Sequence, residues 1–196
     1  MASIVEEILP VLEEFWGAVD GAFAKVADAF PEEVRCERGC NDCCKAVFDL
    51  SFIEAIALHR KLKVLRKEIL QTILEKSANA KQEWEQLIRS GKNLGEARIN
   101  CPLLGKEGEC LCYEGRPVNC RTYGIPLAIK GSGHVCGTSG FEPGISYPTV
   151  DLDRIQQVLL DLSVRAGGPK PGRLRLPIAA VVLGVDEIKQ FLAEAS

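Results

Sequence analysis

Nine of the chain's 196 residues are cysteine, and their placement constrains the fold more than any other feature. Cys36, Cys40, Cys43 and Cys44 fall within nine residues, and Cys101, Cys110, Cys112, Cys120 and Cys136 within thirty-six. The flanks 1–35 and 137–196 hold none. Thiols scattered through a core would not avoid most of the chain. The count is odd, and the start Met1-Ala2-Ser3-Ile4 lacks the basic residues of a secretory signal. Both facts argue against a secreted disulfide framework. In a reducing compartment, clustered cysteines mean metal or redox chemistry, so the expected location is the cytoplasm and the expected role is ligation.

The remaining composition narrows the class. A net charge of −3 with 26% charged residues fits neither a strongly basic nucleic-acid binder nor an acidic disordered chain. The longest apolar run, 178–185, is interrupted by Gly184 and too short to span a bilayer. No nucleic-acid partner and no membrane partner is expected.

Hydrophobic period predicts helices on both sides of the cysteines. In 1–35, Leu12, Phe15, Val19, Phe23, Val26 and Phe30 recur every three to four residues, and Ser3-Ile4-Val5-Glu6 has capping-box spacing. Pro10 should kink or restart that helix. Its acidic residues, Glu6 and Glu13 among them, read as a solvated face. Ser51-Phe52-Ile53-Glu54 opens a long helix with Leu58, Leu62, Leu65, Ile69 and Ile73 on one stripe and Arg60 and Lys61 on the wet side; Gly91 ends it. From 100 to 147 the helical period vanishes. Thr149 then caps a helix carrying Leu152, Ile155, Leu159 and Leu162, a turn follows at 167–172, and 186–195 reads as a terminal helix. The expected fold is mainly α, one domain over 1–196, with helices packed around an irregular cysteine-rich metal-binding knot. Its parts are an N-terminal helical segment (1–35), a cysteine-cluster core (36–136) and C-terminal helices (148–196).

A loop as long as 100–147 needs something to hold it, and metal is the obvious constraint. The spacing Cys36-x3-Cys40-x2-Cys43-Cys44 lets neighbouring thiolates converge, with a distant stretch supplying the remaining ligands, as in zinc and iron–sulfur sites. In extended backbone Cys43 and Cys44 point opposite ways. Cys43, with its x2 partner, is then the firmer ligand, and Cys44 faces a second centre or packs. Eight cysteines make two sets of four, so two sites are arithmetically open. Four thiolates around Zn²⁺ or a [4Fe–4S]²⁺ core leave two negative charges. Arg35, Arg38, Lys45, Arg116 and Arg121 stand beside candidate ligands and can offset them. A structural zinc is worth roughly 10–16 kcal/mol against roughly 5–15 kcal/mol for a whole domain, so stripping metal should unfold the loop region.

Three blocks together, Cys36-x3-Cys40-x2-Cys43-Cys44, Cys101-Pro102-Leu103-Leu104 and Cys110-Leu111-Cys112-Tyr113-Glu114-Gly115-Arg116-Pro117-x2-Cys120-Arg121, resemble the YkgJ-type cysteine cluster family, the CxxxCxxCC zinc- or iron-chelating domain. The resemblance covers about 33–137. It implies a metal or iron–sulfur site on Cys36, Cys40, Cys43, Cys44, Cys101, Cys110, Cys120 and Cys136. Cys112 stands where the family usually has an aliphatic residue and is left out. Some larger relatives are flagellin lysine methylases, but the family does not fix a reaction. The expected function is metal binding, with an iron–sulfur cluster as cofactor and zinc as the alternative. It would serve electron transfer or redox-linked protein modification; the rival is a zinc-stabilised, non-enzymatic interaction module. The protein partner or substrate, and whether there is turnover, stay open. The first spacing also matches radical S-adenosylmethionine enzymes, but Asp42 stands where those carry an aromatic residue, and no run of βα units is present.

Overall fold

The computed structural model describes residues 4–37, 39–184 and 188. The N-terminal apolar period folds as one helix, α1 (Ile4–Ala29), which buries Val5, Ile8, Leu12, Trp16, Val19 and Val26. The expected restart at Pro10 does not occur. A proline removes one backbone bond, but Ile8 and Leu12 on either side of it are fully buried, and their packing carries the helix across. Ser3, the expected cap, lies outside the described residues.

Ser51-x-x-Glu54 does open a helix. Ser51 donates from its N–H and its hydroxyl to one Glu54 oxygen, at 3.0 and 2.8 Å, and α2 (Phe52–Lys63) follows. Every residue from Phe52 to Leu58 is buried, which makes α2 the central helix. The long helix expected here is broken. After a turn at 64–66, α3 (Lys67–Ser90) starts afresh and ends at Gly91. A continuous helix over 52–90 would run about 58 Å, longer than a chain of this size is wide. The break lets α3 fold back against α6 (Ile178–Leu183). α4 (Val118–Arg121) is a single turn, and α5 (Leu152–Gly167) packs on α1 and α2. Asp151, not Thr149, caps α5: its carboxylate accepts the Arg154 N–H at 3.0 Å, while the Thr149 hydroxyl donates back to the Tyr147 carbonyl. The acidic face of α1 is not simply solvated, because Glu6 pairs with Arg60 and Glu13 with Lys61, both on α2.

Short strands join the helices, which the hydrophobic period alone does not announce. β1 (Asp49–Ser51) pairs antiparallel with β5 (Arg175–Pro177), Leu50 opposite Leu176, so the two strands deliver α2 and α6 side by side. β2 (Leu127–Ile129) and β3 (Ser132–His134) form a hairpin, and β4 (Val150–Asp151) adds parallel to β2. The fold is thus helical with two small sheets. The main core unites α1, α2, Ile73 of α3, α5 and α6. The terminal helix expected over 186–195 lies outside the described residues, apart from Ile188, which is buried in that core. No helix among the described residues is long and apolar enough to cross a membrane.

The buried Glu54 accepts the Val118 N–H at 2.8 Å through its other oxygen, tying the start of α2 to the start of α4. Glu54→Ala strands three donors. It is predicted to cost about 2–4 kcal/mol in urea unfolding, against about 1 kcal/mol for Ser51→Ala. Equal losses from the two variants would show that the link to α4 contributes nothing.

Candidate metal centre

Backbone pairing brings the cysteine segments together. The Cys101 N–H donates to the Cys44 carbonyl at 2.7 Å, the Ile99 N–H to the Lys45 carbonyl at 3.0 Å, and Ala46 bridges Arg98. The chain then turns back on itself: the Leu111 N–H donates to the Leu103 carbonyl at 2.7 Å and Leu104 bridges Cys110. Three stretches, 44–46, 98–104 and 110–111, therefore lie side by side. Cys120 arrives on α4, and Cys36 from the turn that follows α1. The loop bearing Cys136 is pinned by the Gly140 N–H on the Glu33 carbonyl at 2.8 Å. At Gly124, φ is +102° and any Cβ would collide with Cys36 Sγ.

These segments enclose a cavity of about 890 Å³. Cys36, Cys40, Cys43, Cys44, Cys101, Cys110, Cys120 and Cys136 all line it, as do Phe48, Trp84 and Leu103. Cys112 is instead buried in the main core, 5% exposed. The cysteines expected to form an irregular metal-binding knot thus share one cavity. Among the described residues no group of three or more His, Cys, Asp or Glu side chains is set to hold a metal ion as it stands. The donors have the right chemistry and share one cavity. A zinc or iron ion held by them would have to draw these donors closer together, as where no preformed site exists.

The expectation drawn from extended backbone fails at Cys43 and Cys44. Residues 41–46 form a tight turn, with the Cys44 N–H donating to the Asn41 carbonyl and the Ala46 N–H to the Asp42 carbonyl. In such a turn successive side chains stand about 100° apart rather than opposed, so both sulfurs face the same cavity. Its interaction with the adjacent Cys44 lowers the Cys43 thiol to about 7, and the same interaction, with burial, raises Cys44.

The other thiols resist ionisation. Burial, then the neighbouring Cys110 and Cys43, pushes Cys101 up to about 12. Burial likewise raises Cys110 and holds Cys120 well above the usual range. Cys36 rises to about 11, first through burial and then through Cys40 and Cys136. Of the basic residues expected to offset this charge, Arg116 does so: it stacks 3.5 Å over the Tyr113 ring and favours the thiolates of Cys43, Cys110 and Cys120. Arg121 does not. It is buried, paired with Asp20, bonded to the carbonyls of Glu114 and Arg116, and laid 4.4 Å over the Trp16 ring. Arg38 lies outside the described residues.

One residue that touches the cavity lining escaped the sequence reading. Asp42 accepts the Tyr123 hydroxyl at 2.6 Å and the Cys136 thiol at 3.5 Å, both on Oδ2. The available signal was its position inside the Cys40-x2-Cys43 spacing. In metal-free protein, Cys43 is predicted to react with iodoacetamide first, its rate rising through a midpoint near pH 7 as the thiolate forms. Cys101 and Cys120 should need far higher pH. Peptide mass mapping across pH reads the order; Cys101 reacting before Cys43 would contradict the arrangement.

Comparison with known families matches residues 35–137, just over half of the chain, to one described as "CxxCxxCC: Putative zinc- or iron-chelating domain". The first gap here, Cys36-x3-Cys40, is one residue longer than that description writes it. Comparisons with curated proteins and with solved structures found no match.

Proposed function

The chain belongs to the CxxCxxCC family, and on that premise we propose that its cavity holds an iron–sulfur cluster and serves electron transfer or redox-linked protein modification. One observation carries this reading. Eight cysteines from two separated segments line a single cavity, while the ninth is packed in the core. Sulfur dominates the donor set, which suits an iron–sulfur cluster. Cys101-Pro102 repeats a Cys-Pro pairing used in ferredoxin loops.

Bound, such a cluster supplies one-electron chemistry. The chain's own residues do the rest. Phe48, Trp84 and Leu103 contribute apolar lining, which limits water in the cavity. Arg116 offsets thiolate charge. Tyr113, 56% exposed and also lining the cavity, marks where a protein partner would approach. The second reading, a zinc-stabilised interaction module, is favoured by Asp42, since carboxylate oxygen is a normal zinc ligand.

Elemental analysis of anaerobically purified protein decides between them. Iron and acid-labile sulfide, with a broad visible absorption band, are expected. Cys101→Ser and Cys120→Ser should lose most of both, and Cys112→Ser should retain them. Zinc without iron or sulfide would give the structure to the second reading, and no metal even after anaerobic reconstitution would end both.

A further inference from the structure

The cavity holds more than a set of sulfurs. The helices α3 and α6 pack against each other and give it Ala80, Trp84, Ile178 and Ala179. The Lys76 ammonium on α3 donates to the Leu104 carbonyl at 2.6 Å, which fastens the stretch bearing Ile99 and Leu103 to the same helix. A metal held by the cysteines would account for the sulfurs and not for these apolar side chains. At about 890 Å³ the cavity has the size of a small-molecule site, roughly 300–1,000 Å³. Going beyond the metal reading, and without needing it, we propose that the cavity also binds a small organic carboxylate with an apolar body, its carboxylate held by Arg116.

Arg116 is the lining cation left to receive an anion. Arg121, the other one, is taken by Asp20 and by two carbonyls. Arg116 is half-buried, its guanidinium lies 3.5 Å over the Tyr113 ring, and its Nε donates to the Tyr113 carbonyl at 3.1 Å. Stack and hydrogen bond together fix the plane of the group. Among the described residues no carboxylate pairs with Arg116, and its two Nη groups donate to nothing. A guanidinium held in one plane with its Nη edge free is the fork that a carboxylate meets with two parallel hydrogen bonds. One unmatched cation also suits a single negative charge better than the nearly double charge of a phosphate monoester.

The acids of the lining do not reverse this preference. Asp20 serves Arg121. Glu109 folds its carboxylate onto its own loop and accepts the Glu107 N–H at 2.9 Å. Glu37 and Glu114 are exposed, where water and salt screen them. Tyr113 also stands at the solvent side. The carboxylate therefore sits at the mouth, partly hydrated, and the apolar body goes inward among the side chains of α3 and α6.

The test is calorimetric titration of the full chain, purified anaerobically, with octanoate, 1-octanol and octylammonium, which share a body and differ in the head group. Metal content is measured in the same samples. Octanoate should bind saturably and tightest of the three. Arg116→Gln should weaken octanoate by about 10- to 100-fold and leave octanol unchanged; urea unfolding checks that the variant folds, and the head-group series on wild type decides if it does not. Octanoate should also change the fluorescence of Trp84, and Trp84→Phe should abolish that change, since the other tryptophan, Trp16, is buried in the main core. Octylammonium binding as tightly as octanoate, an unchanged octanoate affinity in folded Arg116→Gln, or a fluorescence response that survives Trp84→Phe would each overturn the assignment. Metal-bearing protein that binds none of the three overturns the carboxylate site and leaves metal binding standing. Octanoate binding by protein that takes up no metal leaves the carboxylate site standing alone.

Discussion

The Glu54 carboxylate is the point on which scaffold and site both depend. It is buried, and it accepts the N–H and hydroxyl of Ser51 and the N–H of Val118. Ser51 closes β1 and starts α2, and β1 pairs with β5, which leads into α6. Val118 starts α4, the turn that carries Cys120 and Arg121. Arg121 then reaches α1 through Asp20 and Trp16. One acid therefore links the central helix, the strand pair beneath it and the helix that presents a candidate ligand. Charge-assisted hydrogen bonds of this kind are stronger than neutral ones, and a buried group with all its partners specifies one arrangement.

Much of the helical layout was legible because burial leaves a period. The stripe Leu12–Val19–Val26 and the Ser51-x-x-Glu54 box correspond directly to α1 and to the start of α2. The break at 64–66 was not legible, since neither glycine nor proline marks it; tertiary packing of α3 on α6 overrides a local preference for helix. The strands hid for a related reason. Each is two or three residues long, too short for alternation to register. The hairpin turn runs through Lys130, at φ 50°, rather than the Asn or Asp that announces such turns. Paired charges were invisible too. Glu13 and Lys61 each read as surface, and only the packing of α1 on α2 makes them partners.

For the site, clustering along the chain was a faithful guide to clustering in space, because short spacings restrict where sulfurs can go. Orientation within the cluster was not. Cys43 and Cys44 share a cavity because their backbone turns, and extended geometry was the wrong premise. Asp42 was passed over because its place between Cys40 and Cys43 does not by itself say what the carboxylate touches; its meaning comes from Tyr123 and Cys136, 81 and 94 residues away.

The arrangement also bears on how far a metal's influence extends. The main core is built from apolar side chains of the helices, and among the described residues Cys112 is the one cysteine buried in it. Cys101 and Cys110 touch that core from outside. The segments 44–46, 98–104 and 110–111 are joined by backbone bonds that need no sulfur. Helices and ladder can therefore stand before metal arrives, unlike a zinc finger, whose fold the ion supplies. Arg121 is committed to α1, and burial keeps Cys36, Cys101, Cys110 and Cys120 protonated while the sulfurs are bare. A bound cation would displace those protons, and the eight cysteines that line the cavity lie outside the buried helical core. Its structural effect is accordingly concentrated in the loops around the cavity and not in the helical core.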